Sequence, residues 1–333
     1  MSRVRGSRGT GRVTSHNVAT EAGVSQATVA RVFSAPEKVA DATRVRVLDA
    51  AERLGYVPNA IARSLKAQRT DIVGAVVPAT GEYWQHVLTT FSRLLNERRK
   101  QLLLFSFDNV SQLGPLLQTV AQYQVDGLIL ASANISPARL AAMSHNDLPV
   151  VAFNQPAALD LVPSVTVDNE LGMRQLAEHL VAKGISRSVF VGGVAATSTD
   201  QTRYRGAVAA LGEHGIACPY VEAGAFSYEA GYKSARQLAE AGLPDAIMVA
   251  SDEVAFGLID GLREMSIEAP RDVLITGFDG LPQASWAGYD LTTLEQPTEL
   301  LVEHAVANVI AQNDATSVIV PGTIRQGRTT DNA

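Results

Sequence analysis

Apolar positions along this chain follow two different rhythms. Up to about residue 69 they recur at helical spacing between charged residues. Val18, Ala19 and Ala22 precede a tight Gly23-Val24-Ser25 turn, and a second short helix is predicted from Gln26 to Phe33. Val24, Val29 and Val32 would face inward. A third helix is predicted from about Asp41 to Leu54, with Val45, Leu48, Ala51 and Leu54 as its apolar stripe. Arg44, Arg46 and Arg53 fall largely outside that stripe, and Gly55 stands in the usual helix-stopping position. Two short helices joined by such a turn are the layout of a helix-turn-helix, whose second helix is offered to a DNA major groove.

Beyond Thr70 the period changes. Apolar runs of strand length alternate with helical stretches: IVGAVVP (72–78) then 84–99, QLLLFSF (101–107) then 111–122, VDGLILA (125–131) then 137–145, and LPVVAFN (148–154). After a proline-containing turn the pattern restarts. SVTVD (164–168) leads into 169–182, SVFVG (188–192) into 202–214, YVEAG (220–224) into 227–241 and AIMVAS (246–251) into 253–264. DVLITGF (272–278) is followed by an irregular piece. DLTTLEQP (290–297), a helix at 298–311 and a strand at 316–320 are too short for a third domain and are expected to return to the first lobe. Repeated β-α units of this kind make buried parallel strands, with ligands at the strand C-terminal ends.

Charge divides the chain at the same place. Residues 1–69 hold 12 Lys/Arg against 5 Asp/Glu, and the remaining residues hold 16 against 29. Phosphate binding needs local positive charge, so the head suits DNA and the acidic body does not. The length, 333 residues with 46% hydrophobic and 19% charged content, fits a small head and a large or bilobed globular body. A single cysteine, Cys218, rules out an internal disulfide framework and a thiolate metal cluster. The basic N-terminus, MSRVRGSRGTGR, lacks the apolar segment of a signal peptide, and no run of about 18 apolar residues would span a membrane. A cytoplasmic location is expected, with no membrane partner.

In the head, Thr14 or Ser15 can cap the first helix and Ser25 the second. Gln26, Ala27 and Thr28 then stand at the groove end. Glutamine can meet adenine with two hydrogen bonds, Ala27 a thymine methyl, and Arg31 a guanine or a phosphate. The runs EAGVSQATVARVF and ATRVRVLDAAERLGYVPNAIARSLKAQRT resemble the head and hinge of the lactose/galactose repressor (LacI/GalR) family of bacterial transcriptional regulators. In that family the segment matching Pro58 to Lys66 is a hinge helix that forms when two chains sit together on the operator. Leu65 takes the place of the leucine that wedges into the minor groove, where such wedges unstack a base step. The resemblance implies a DNA-contacting set of Thr14, His16, Ser25, Gln26, Ala27, Thr28, Arg31, Asn59, Ala62 and Leu65. Ala30 and Ser34 depart from the family's usual serine and asparagine.

SVTVDNELG, RYRG, SDEVAFG, ITGFD, LTTLEQP and PGTIRQG resemble further landmarks of the same family, so the likeness runs through the whole chain. It implies a small all-α, lambda-repressor-like helix-turn-helix head plus an α/β periplasmic-binding-protein-like body of two lobes with parallel sheets. The expected division is a basic tail (1–12), the helix-turn-helix (13–57) and a hinge (58–69). A first lobe (70–163 with 291–321) and a second (164–290 with 322–333) follow. Polar residues at the strand ends are the cleft candidates: Asn154, Ser251, Asp252 and Asp279, with Arg203 opening a helix and Trp84 able to stack on a sugar face. In the family the matching positions line the effector cleft. The loop ATGEYWQHVL departs from the family's Asn-Pro-Phe-Phe pattern, which weakens a sugar assignment.

Catalysis finds little support. No dinucleotide or phosphate-binding glycine loop, no Gly-x-Ser-x-Gly elbow and no His-Glu-x-x-His occurs. The six histidines are scattered, so no catalytic residue, metal site or cofactor is expected. The expected partners are a pseudo-palindromic double-stranded operator, a small-molecule effector and a second copy of the chain. A binding protein with a vestigial head and an enzyme fused to a DNA-binding head remain the rival readings.

Overall fold

A computed structural model describes residues 13–57, 69–79, 81–108, 110–131, 148–155, 162–311 and 315–331. The N-terminal tail, the hinge segment 58–66 and the helix expected at 137–145 lie outside the described residues. The chain divides into two compact units, Met1–Thr70 and Asp71–Ala333.

The first unit packs α1 (Ser15–Ala22), α2 (Gln26–Ser34) and α3 (Asp41–Leu54) around a small core. Val18, Ala19, Val29, Val32, Val47, Ala50 and Ala51 are buried in it. Gly23 and Gly55 end α1 and α3 in the left-handed conformation, at φ 64° and 63°, which glycine adopts without a Cβ penalty. The α3 stripe differs from the expected one. Val47, Ala50 and Ala51 face the core, while Val45 and Leu48 are 52% and 43% exposed. Both sets recur at helical spacing. Tertiary packing chooses between them, and the small alanines let α3 lie close against α1.

The second unit contains two six-stranded sheets of the same design. The first has the order β11-β5-β4-β3-β1-β2 and the second β12-β10-β9-β8-β6-β7. The first sheet comprises β1 (Ile72–Pro78), β2 (Gln101–Phe107), β3 (Gly127–Leu130), β4 (Val150–Phe153), β5 (Ser164–Val167) and β11 (Val318–Val320). The second comprises β6 (Ser188–Gly192), β7 (Tyr220–Glu222), β8 (Ala246–Val249), β9 (Leu274–Asp279), β10 (Thr292–Glu295) and β12 (Thr323–Arg325). Pairing is parallel except that β12 runs antiparallel to β10. The helices are α4 (Glu82–Glu97), α5 (Leu113–Gln122), α6 (Asn169–Ala182), α7 (Ser198–Glu213), α8 (Tyr228–Ala241), α9 (Asp252–Glu264) and α10 (Thr298–Ala311).

Successive strand side chains point to opposite faces, and the first sheet separates its cores accordingly. Val73, Ala75, Val77, Ile129, Val151 and Phe153 enter one core. Val76, Leu128, Leu130, Val150 and Ala152 enter the other, beneath α5. In the second lobe α8 and α9 approach closely at glycine. A Cβ on Gly257 would stand 1.8 Å from the Tyr228 carbonyl oxygen, and one on Gly231 would stand 1.9 Å from that of Val254.

The chain passes between lobes three times, and two passages fall one strand later than expected. β5 pairs with β4 in the first sheet, and β10 pairs with β9 in the second. The passages therefore follow Val167 and Glu295 instead of preceding Ser164 and Leu291, while the third falls between β11 and β12. A buried run such as SVTV carries no mark of which sheet it joins; hydrogen-bond pairing settles that.

Candidate functional site

The head's site begins with helix capping. The Thr14 backbone N–H and hydroxyl both donate to Asn17 Oδ1, at 3.0 and 2.7 Å. Ser25 Oγ accepts from the Thr28 backbone N–H at 3.1 Å and pairs with the Thr28 hydroxyl at 2.9 Å. These contacts satisfy donors that the first helical turn leaves open and fix where α2 starts. With Val29 and Val32 buried, Gln26, Ala27, Ala30, Arg31 and Ser34 are exposed together along one face of α2. Two alanines on that face let the helix backbone approach a surface closely, flanked by one amide and one guanidinium. His16 is also exposed, and its carbonyl accepts from the Thr20 hydroxyl. Asn59, Ala62 and Leu65 lie outside the described residues.

The body's site lies at the C-terminal ends of the parallel strands. β4 and β9 occupy the same place in their two sheets, and each carries near its C-terminal end a Phe followed by a polar residue. Asn154, after Phe153, has φ 55°, and Asp279, after Phe278, has φ 122°. Non-glycine residues in this region carry about 1–3 kcal/mol of strain, which surrounding contacts must hold.

For Asp279 those contacts are visible. Its Oδ1 accepts from Arg203 Nη2 at 3.1 Å and from Gln296 Nε2 at 2.7 Å. Arg203 is 2% exposed; its Nε donates to Asn169 Oδ1 at 2.8 Å, its Nη1 to the Ala250 carbonyl, and its guanidinium lies 3.7 Å over the Phe278 ring. Burial pushes the Asp279 carboxyl above the ordinary carboxylate range, and Arg203 and Gln296 pull it back.

Three expectations change here. Arg203 does not open its helix with a free fork; it lies in the second turn of α7, already committed to three protein acceptors. Asp252 has no exposed surface. Its Oδ2 accepts from the Leu281 N–H at 2.7 Å and its Oδ1 from the Thr293 hydroxyl at 2.6 Å, fastening the loop after β9 to β10. Ser251 accepts from the Val254 N–H and caps α9. Burial, followed by the charge of Asp279, holds the Asp252 carboxyl well above its ordinary range.

The lobes touch across these strand ends. The buried Tyr83 hydroxyl donates to Gln296 Oε1 at 3.1 Å, and burial raises that phenol. The Glu82 backbone N–H donates to Glu253 Oε1 at 2.7 Å, Ser198 donates to Gln155 Oε1 at 2.8 Å, and Gln283 Nε2 donates to Glu82 Oε2 at 3.2 Å. Trp84 remains partly exposed, edge-on to Tyr83 and Phe153. Asn154 Oδ1 and Gln283 Oε1 are buried without a hydrogen-bond partner. Among the described residues no cluster of three His, Cys, Asp or Glu could hold a metal ion, and no helix is long and apolar enough to cross a membrane.

A model of bacterial regulatory proteins of the lacI family matches residues 14–59, and one of periplasmic-binding-protein-like domains matches residues 177–330. Catabolite control protein A of Priestia megaterium is 31% identical over 86% of this chain and 88% of its own length. The chain belongs to the LacI family. The lac repressor dimer bound to operator and an anti-inducer shares the fold, with a TM-score of 0.85 and 23% identity over 96% of this chain and 99% of that one. The regulator CelR in complex with cellobiose is 26% identical over 96% of this chain and 100% of that one, with a TM-score of 0.69.

Within this LacI-family body, several residues escaped the sequence reading. Asn169, Glu253, Gln283 and Gln296 all enter the strand-end network. Arg203 had a readable signal: with Asp200, Gly206, Ala207 and Ala210 it shares the buried face of α7 at helical spacing. Tyr83, next to Trp84 in the chain, is buried, while the Trp84 ring stays partly exposed.

Proposed function

We propose that this LacI-family chain is a sequence-specific transcriptional regulator in the cytoplasm, acting as a homodimer on a pseudo-palindromic operator. A small molecule in the interlobe cleft switches its affinity for DNA. The observation that carries the DNA half is the capped α2, which presents Gln26, Ala27 and Arg31 on one exposed face of a basic head. Such a face suits direct readout in the major groove, with Thr14 and His16 toward the phosphates. Ser25 and Thr28 hold the helix start and reach the backbone from there. The resemblance adds Asn59, Ala62 and Leu65 as minor-groove residues.

The observation that carries the effector half is the meeting of both lobes at residues with unmet hydrogen-bonding capacity. Trp84 offers a partly exposed ring, Asn154 a buried free acceptor, and Asp279 a second carboxylate oxygen. Arg203, Ser251 and Asp252 hold these groups in place. CelR binds cellobiose, which supports a polar metabolite here. A ligand that bridges the lobes would stabilise closure, and repression or release would follow from its differential affinity for two dimer arrangements.

Selection from a random duplex pool with the full chain, followed by titration of the recovered sequence, tests the reading. It expects a two-fold symmetric site bound at least about 1000-fold more tightly than random DNA. Recovery of no sequence above the pool would contradict it and favour a vestigial head.

A further inference from the structure

Among the described residues at the cleft, the one buried cation that could hold an anion is already engaged. Phosphates and carboxylates are held by Lys or Arg and by free N–H groups at helix N-termini. The described residues between β1 and Trp84, and those following β4, β6, β8 and β9 up to Ser285, include no Lys or Arg before α7. Arg203 is spent on Asp279, Asn169 and the Ala250 carbonyl.

One N–H at each of three nearby helix starts is likewise taken. Glu253 Oε1 takes the Glu82 N–H at the start of α4, Ser251 caps α9, and Thr197 caps α7. The Asp200 carboxylate takes the Gly193 N–H at 2.7 Å. What remains is acceptor-rich. Asn154, 9% exposed, and Gln283 carry unpartnered buried oxygens. Glu253 stands half-buried with its carboxylate beside Gly81.

We propose that the cleft selects a ligand that donates hydrogen bonds and bears no negative charge, and that it rejects the phosphorylated or acidic form of the same molecule. This rests on the effector reading above. An incoming phosphate would meet Glu253 and Asp279 in a desolvated site where the described residues offer no uncommitted Lys or Arg, whereas a hydroxyl or ammonium would satisfy Asn154 Oδ1 and Gln283 Oε1. Hydroxyl and ammonium ligands share this donor chemistry, and Glu253 separates them: its charge favours the ammonium.

The test is thermal unfolding of the full chain with matched probes: ribose and ribose 5-phosphate, fructose and fructose 1-phosphate, and glucose, glucosamine and glucose 6-phosphate. The expected result is a midpoint raised by at least about 3 °C by a neutral or amino member, with its phosphorylated counterpart bound on the order of tenfold more weakly. Where glucosamine is the binder, Glu253→Gln keeps an acceptor for the Glu82 N–H and should weaken the amine about tenfold more than it weakens glucose. A phosphorylated probe binding more tightly than its parent would overturn this inference and leave the effector reading standing. No shift with any member would overturn both.

Discussion

The head and the body present their candidate residues in opposite ways. On α2, Gln26, Ala27 and Arg31 stand in solvent, held only through the helix that carries them. In the body, Arg203, Asp252 and Asp279 are fastened to one another's neighbours, and Asp252 has no exposed surface. A reading surface can be finished before its partner arrives, because DNA supplies the complementary edges. A ligand cleft that also joins two lobes uses its polar groups to hold itself together, so a ligand must exchange contacts as well as add them. Substitution should therefore separate the two regions: changes in the body should reach stability first, and changes on α2 should reach DNA binding alone.

The largest effect is expected at Arg203. Arg203→Ala leaves the Asp279 carboxylate without its cation, and breaking such a buried pair costs about 3–5 kcal/mol. Urea unfolding of the full chain should show this loss in the body's transition; an unchanged midpoint would mean that the pair is not holding the lobe. At Asp252, Asp252→Asn sacrifices an acceptor for the Leu281 N–H, a loss of about 1–3 kcal/mol.

That loss should depend on pH. Burial raises the Asp252 carboxyl above its ordinary value of 3.8, so the folded chain keeps a proton that the unfolded chain releases. Its stabilising contribution is complete below about pH 4 and fades as pH rises through the raised value. The asparagine variant should gain on the parent between acid and neutral pH, as measured by urea midpoints across that range; a gap that widens would reverse the sign.

Smaller and more selective effects are expected in the head. Gln26→Ala should cost about 1–3 kcal/mol of discrimination at one base pair of the selected site, read by anisotropy titration. The unfolding midpoint should not move. Ser25→Ala removes the cap of α2 and should lower local stability by about 1 kcal/mol, seen as faster hydrogen exchange at the Thr28 amide. If Gln26→Ala lowered stability instead, the description of α2 as a finished reading surface would fail.

The sequence made the outline of both units readable because their periods differ so sharply. The α6 and α10 spans and the limits of β1, β2 and β6 follow directly from where apolar runs begin and end. What it left open were choices between equivalent partners. β5 and β10 are short and buried, so they fit either sheet equally well until pairing decides. In α3 Ala51 and Leu54 pack inward as read, while Val47 and Ala50 take the core places read for Val45 and Leu48. The cleft was half readable. Asn154 and Asp279 were marked by their places at the ends of β4 and β9, but their positive φ and the bonds of Gln296 and Asn169 depend on chain segments far apart in sequence.

The account's central claim is that the cleft and the α2 face are two ends of one equilibrium. The direct measurement is a linkage pair on the full chain: operator affinity with and without a ligand recovered from the probe set, and ligand affinity with and without operator. The account predicts a change of about 5-fold to 150-fold in operator affinity and the same factor in ligand affinity, because coupling between two binding sites is reciprocal. An operator affinity that stays constant while the ligand saturates the body would contradict it.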